Sequence, residues 1–256
     1  MSNIPKYQKD YSSHCPKILD TDVRLEKAGK MLCVLEDAGV LASNTEVALD
    51  IGCSGGYFIR ALSDYYDSVL GLDIDVNALL LAREEGIAEN ISVIAADSMN
   101  MPLPDNSVDL VVCNHVYEHV PSSEKLFSEV YRVLKVNGVC YFGAASRLVP
   151  IEPHYNLPLL SWFPKNIANV YMKLARKGDY YYENLRTYWG LKKLISQFEI
   201  KDYTLEIVAF PDKYNARDLI KKGSLLDKIP MIAWKLFYRV LPGYIFLLVK
   251  RSSQPQ

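Results

Sequence analysis

The stretch Val47-Ala-Leu-Asp-Ile-Gly-Cys-Ser-Gly-Gly-Tyr57 constrains this chain more than any other. Five residues of strand character, Val47 to Ile51, run into a turn of small residues from Gly52 to Gly56. A helical pattern follows at Tyr57, Phe58, Ile59, Ala61 and Leu62. A strand that enters a helix through glycines brings a ligand against bare backbone, with the exposed N–H groups of the helix N-terminus behind it. Asp50 stands just before the turn. Its carboxylate would repel a pyrophosphate and suits a ligand that carries an amino group. Val69 to Ile74 reads as a second strand, and Asp73 near its end falls about twenty residues past the glycines, where a ribose-binding carboxylate is expected.

The alternation continues along the chain. A helical pattern from Asp20 (Val23, Ala28, Met31, Leu32, Leu35) precedes the first strand and stops at Gly39. Helices are expected over 56–65, 76–85 and 122–135, the last begun by Pro121 and ended by Asn137-Gly138. Further strands are expected at Ile91–Ala96, Val108–Cys113, Val139–Ala144, Ile200–Val208 and Tyr244–Val249. Continuous apolar strands separated by helices give an α/β fold, a Rossmann-like, seven-stranded, mostly parallel sheet with helices on both faces. Ligands of such sheets sit beyond the carboxyl ends of the strands, where every motif named so far lies.

Half of the 256 residues are apolar, enough for a full core, and the formal net charge of −1 gives no general attraction to nucleic acid. Cys15, Cys33, Cys53, Cys113 and Cys140 are scattered and show no paired metal spacing. They read as free thiols in a reducing compartment, and the polar first twenty residues lack a secretory h-region, so a cytoplasmic location is expected. Residues 1–17, with Tyr7, Tyr11, His14, Cys15 and Pro16, show no periodicity and read as a loose arm, a lid being the alternative.

Asp50-Ile-Gly-Cys-Ser-Gly-Gly56, Gly71-Leu-Asp73, Ala96-Asp97 and Pro102-Leu-Pro-Asp-Asn-Ser-Val-Asp109 resemble the successive motifs of the class I S-adenosylmethionine-dependent methyltransferases, over roughly residues 20–146. One departure is visible: Ser54 stands where the family usually has a glycine. The resemblance and the chemistry together imply S-adenosyl-L-methionine as cofactor. Asp50 and the turn Gly52, Cys53, Ser54 and Gly56 would take its amino-acid end, and Asp73, with Ile74 beside it, its ribose. Asp97 and the Ser98 N–H would take the adenine, Met99 would pack on the adenine face, and Asn114 would lie near the methionine end. Each strand-end aspartate could instead simply cap the turn that follows it.

Residues 147–186 break the alternation with prolines and a tyrosine cluster, Tyr180-Tyr181-Tyr182. They read as a cap inserted after strand five, with a helical piece at about 165–176, between a core of residues 1–146 and its C-terminal part, 187–256. Segments inserted at strand ends commonly supply substrate contacts. Tyr155, Trp162 and Tyr180–Tyr182 would line an aromatic pocket, or else form the cap's own small core. Base candidates are His115, His119 and His154. His115 and His119 bracket the loop after strand four, and Glu118-His119 resembles a pair that is often structural in the family. Pro150-Ile-Glu-Pro-His-Tyr-Asn-Leu-Pro158 resembles an insertion found in a subset of its bacterial members, with no single substrate attached.

Ile229 to Val249 is the most apolar stretch. Lys235, Arg239 and Pro242-Gly243 interrupt it short of the roughly 20 residues that span a bilayer. It divides into an amphipathic helix, packed on the domain or resting on a membrane surface, and a last strand. The expected activity is methyl transfer to a small-molecule, glycan or lipid-linked acceptor at oxygen, without a metal. Two rivals stand beside it. A nicotinamide-dependent oxidoreductase would need Gly-x-Gly-x-x-Gly, whose third place has neither glycine nor alanine in Gly52-Cys-Ser-Gly-Gly-Tyr-Phe58, and no Asp50 facing the pyrophosphate. A non-catalytic binding protein would merely retain the fold.

Overall fold

The computed structural model describes Lys9, residues 21–41 and residues 46–252. The expected arm, with His14 and Cys15, lies outside the described residues except for Lys9. Strand side chains alternate between two apolar layers. Leu49, Ile51, Val111 and Cys113 enter one cluster, whereas Ala48, Leu110 and Val112 enter the other. These residues belong to β1 (Val47–Ile51) and β4 (Val108–Asn114), which pair in parallel at the middle of the sheet. β2 (Ser68–Asp73) and β3 (Ile91–Ala95) extend the sheet on one side. β5 (Leu134–Ala145), β9 (Gly243–Val249) and β8 (Glu199–Asp202) extend it on the other. The order is β3-β2-β1-β4-β5-β9-β8, and only β9 runs against its neighbours.

Helix α1 (Thr21–Asp37) buries Ala28, Met31, Val34 and Leu35 against the β1 side and ends at Gly39, whose φ of 69° is open to glycine without strain. α2 (Tyr57–Leu62), α3 (Val76–Glu84) and α4 (Ser123–Val133) follow β1, β2 and β4. Ser122 caps α4 by accepting from the Lys125 N–H at 3.3 Å. The α4 helix does not reach Asn137-Gly138 as expected. Leu134 already pairs with Val108 while Val139 pairs with Leu110, so residues 135–138 bulge from the strand.

A second difference lies at strand six. Asp202 accepts from the Thr204 N–H at 2.9 Å, and the chain turns into helix Thr204–Ala209 instead of continuing as strand to Val208. Asx capping of this kind competes directly with the sheet ladder. Residues 147–186 leave β5 and return beside it, with Arg147 N–H donating to Arg186 O at 2.8 Å. They hold a hairpin, β6 (Ile151–Glu152) and β7 (Leu157–Pro158), and the helix Lys165–Leu174, around a separate cluster that contains Leu157, Leu160, Ala168, Met172 and Tyr181. Trp162, Tyr180 and Tyr182 are exposed and Tyr155 packs on the cap cluster, so these aromatics do not line a common pocket. No helix among the described residues is long and apolar enough to cross a membrane.

Candidate active site

A cavity of about 330 Å³ opens at the carboxyl ends of β1, β2, β3 and β4, as expected for this sheet. Gly52, Asp73, Ile74, Asp97, Ser98 and Met99 form one wall. Asn114, His115, His119 and His154 form the opposite one. All of these were legible as site candidates. Asp50, Cys53, Ser54 and Gly56 do not line the cavity; they are buried behind Gly52.

The turn is built by conformations that side chains resist. Gly52 has φ 70°, and a Cβ there would stand 2.8 Å from Val116. Ser54 has φ 46°, the left-handed region that explains why glycine is usual at this place. Its N–H donates to Asp73 Oδ2 at 2.8 Å, and the Asp75 N–H donates to Oδ1 at 2.9 Å. Asp73 therefore braces the turn and faces the cavity at once, since each carboxylate oxygen keeps a second lone pair. Asp97 likewise accepts from the Met99 N–H at 2.8 Å. Capping and ligand binding are here two uses of the same oxygens.

Asp50 is different. Its side chain is buried in the middle of the sheet, and Oδ2 makes no hydrogen bond among the described residues. Burial, then the charge of Asp73, raises its carboxyl well above the ordinary aspartate value, against a smaller pull from Arg24. The Ser54 hydroxyl is also buried without a hydrogen bond among the described residues. Buried polar groups are nearly always paired, so an unpaired pair behind a ligand turn marks where a ligand's own charge is expected.

The opposite wall carries the histidines. Asn114 ends β4, and Gly143 on β5 is tied to it, because a Cβ there would fall 2.0 Å from Asn114 Oδ1. His115, at φ 58°, sets Nδ1 3.4 Å from Oε1 of the fully buried Glu118. Burial pushes His119 down to about 4, so it is a neutral ring at physiological pH. It stands edge-to-face with His154, 4.9 Å between centroids.

His154 comes from the cap, on the turn between β6 and β7. Its Nδ1 donates to Glu152 Oε1 at 2.6 Å, while Glu152 Oε2 accepts from the N–H groups of His154 and Tyr155 at 2.9 and 3.0 Å. Glu152 is fully buried. Burial opposes a charge on His154, but the hydrogen bond and charge of Glu152, aided by Glu183 and Glu118, outweigh it and hold the imidazole above its ordinary value. Such a carboxylate fixes the ring orientation and leaves Nε2 as the nitrogen that can act on a ligand.

Sequence reasoning missed Arg24 and Lys27, which reach the cavity from α1. The signal was present as a basic row at three-residue spacing, Arg24, Lys27 and Lys30, on one side of the apolar stripe. Lys30 is spent on a buried pair with Asp218 at 2.8 Å, and burial, then Arg24 and Lys30, lowers Lys27. Glu152 was part of a quoted motif without a role. No group of three or more metal-binding side chains occurs among the described residues.

The methyltransferase domain family matches residues 49–142. A demethylmenaquinone methyltransferase of Staphylococcus aureus is 30% identical over 178 residues, covering 66% of this chain and 72% of that protein. A sterol 24-C-methyltransferase of Gibberella zeae is 36% identical over 96 residues, 36% of this chain, and the chain spans only 25% of its length. The YcgJ protein of Bacillus subtilis, a solved structure, superposes with a TM-score of 0.55 at 17% identity, over 89% of this chain and 99% of that one.

Proposed function

This chain belongs to the class I S-adenosylmethionine-dependent methyltransferases, and from that premise we propose that it methylates a hydroxyl of a small, apolar, ring-bearing acceptor, with His154 as the general base. The site residues fit the cofactor on their own chemistry. Behind Gly52 and outside the cavity lining, the Asp50 Oδ2 and Ser54 hydroxyl, unpaired among the described residues, suit an ammonium and its neighbouring carboxylate. Asp73 offers two oxygens to a ribose diol, and Asp97 with Met99 offers an acceptor and an apolar face to adenine. When bound, S-adenosylmethionine supplies a methyl group already activated on a sulfonium centre.

What remains for the chain is alignment, exclusion of water and removal of a proton. His154 carries the reading, because it is the group that the cap contributes to the cavity together with a buried carboxylate that holds its ring. Nε2 takes the acceptor's hydroxyl proton, and Glu152 stabilises the imidazolium that forms. Glu152 is thus a positioning residue, and neutral His119 packs against the base without competing for the proton. The relatives named for sterols and demethylmenaquinone favour an apolar ring compound over a glycan as acceptor. Such an acceptor would also bring the C-terminal apolar segment to a lipid surface.

The test is transfer of labelled methyl to reduced quinones, sterols and alkylphenols by the purified protein. Oxygen-linked label on one of these is expected, with a pH profile that rises through the pKa of His154. In Glu152→Gln the acid limb should move to lower pH while the maximum rate falls, because a weaker base is left. Full cofactor binding with no transfer to any of the three classes would sink the acceptor assignment. An unshifted limb in Glu152→Gln would remove His154 from the mechanism.

A further inference from the structure

The C-terminal apolar stretch does not pack as a core helix. Ile232 and Leu236, one turn apart on the helix Met231–Phe237, are 74% and 77% exposed, and no residue of that helix is buried. Leu225 just before it is 84% exposed, and Phe237 and Val240 continue the apolar surface. Leaving such side chains in water is unfavourable, and contiguous exposed apolar surface of this kind marks an interaction site.

Two observations say what covers them. The first is charge. Lys228, Lys235 and Arg239 are interleaved with the exposed apolar residues and make no ion pair among the described residues. Between residues 219 and 241 the one acidic side chain, Asp227, is already held by Arg217 at 2.9 Å. The second is place. Gly243 pairs with Ala145 and Ser146 N–H donates to Pro242 O at 2.8 Å, so this segment enters the sheet at the edge where the cap leaves it. Ala145 lines the cavity. The cap adds a stripe of its own, Ile167, Val170 and Leu174 at helical spacing, all exposed, with Leu174 at 79%.

We propose that this face docks the protein on the surface of an anionic lipid bilayer, apolar side chains at the acyl boundary and the three cations among the headgroups. Interfacial binding needs this combination of an apolar face and flanking basic residues, and neither half alone suffices for stable attachment. The purpose of docking rests on the proposed apolar acceptor, which would be collected from the bilayer at the edge where the cavity lies. The docking itself does not depend on that reading.

The experiment is co-sedimentation of the full chain with phosphatidylcholine vesicles, with and without one-third phosphatidylglycerol, alongside calorimetric titration with S-adenosylhomocysteine. The wild type should pellet with the anionic vesicles and stay largely in solution with the neutral ones. Ile232→Ser with Leu236→Ser should weaken partitioning by about tenfold or more. Lys235→Glu with Arg239→Glu should do the same on anionic vesicles. All four positions lie outside the cavity, so cofactor titrations should be unchanged and show that the variants are folded. Wild type and variants pelleting alike, or none of them pelleting, overturns the proposal. Concentration-dependent dimers in sedimentation velocity that the apolar variant abolishes, with no vesicle binding, would make the occupant a second copy and overturn it as well. Cofactor binding without vesicle binding leaves the proposed function standing; vesicle binding without cofactor binding does the reverse.

Discussion

Two buried carboxylates beside the cavity, Asp50 and Glu152, are held in opposite ways. On the sheet side Asp50 leaves one oxygen buried and unpaired, and its neighbour Ser54 is held at a left-handed φ. On the cap side Glu152, equally buried, is fully committed to two N–H groups and one imidazole. The cost at Asp50 is one that a cationic ligand can relieve, and strong packing on both faces of β1 makes that cost tolerable. The cap has a small core of its own, and its buried Glu152 pairs within its own turn. The difference separates binding, placed on the rigid sheet, from proton transfer, placed on an inserted unit.

The sharpest way to break this separation is at the base. His154→Ala should lower turnover about 10²- to 10⁴-fold, the range for losing a general base, with cofactor affinity nearly unchanged. Single-turnover methyl transfer and calorimetry on the same protein check both halves. A parallel loss of cofactor affinity would show that the two walls act as one. Asp73→Ala should do the converse. It removes hydrogen bonds to a charged acceptor and a brace of the turn, so cofactor binding should weaken by about 1.5–3 kcal/mol. The pH at which turnover rises should not move, since His154 is untouched. A shifted limb would mean that the walls are electrostatically coupled.

The sequence made one wall far more legible than the other. Asp50, Asp73 and Asp97 fall at strand ends because strand-turn-helix units are local, and periodicity places their ends within a residue or two. The cap side is assembled by contacts distant in sequence. His119 meets His154 across thirty-five positions, and Arg24 and Lys27 arrive from a helix before the first strand. No period reports such meetings. The same limit explains the short strand six, where a single Asx cap at Asp202 overrode β-branched residues, and the apolar helix at Met231, which packs on the core through Trp234 and leaves Ile232, Leu236 and Phe237 exposed.

Asp50 gives a smaller, pH-dependent test of the stored cost. Its folded pKa is raised, so the unfolded chain loses this proton at lower pH than the folded one. Stability is therefore lost as pH rises from the ordinary aspartate value through the raised one. Asp50→Asn removes that loss. Its melting temperature should exceed the wild type's near pH 8, and the margin should close as pH falls toward 4. Cofactor affinity should fall in the same variant, because the ligand's ammonium loses its carboxylate partner. A variant less stable than wild type at every pH would mean that Asp50 is paired in solution and stores nothing.

The smallest effect is expected at Ser54. A left-handed residue with a side chain costs roughly 1–2 kcal/mol. Glycine gives back roughly 0.5–1 kcal/mol of that through the freedom it adds to the unfolded chain. Ser54→Gly also deletes a buried hydroxyl that makes no hydrogen bond among the described residues. The net should be a gain below about 1 kcal/mol, which scanning calorimetry would read as a rise of no more than about 2–4 °C. The Ser54 N–H to Asp73 Oδ2 bond survives the change, since it is made by the backbone. Cofactor affinity in this variant then decides what the hydroxyl is for. If affinity is unchanged, the serine is a tolerated departure from glycine and the sheet wall's reserve lies in Asp50. If affinity drops severalfold while stability rises, the hydroxyl is itself a ligand contact, and the chain holds a strained residue in place for the sake of one hydrogen bond.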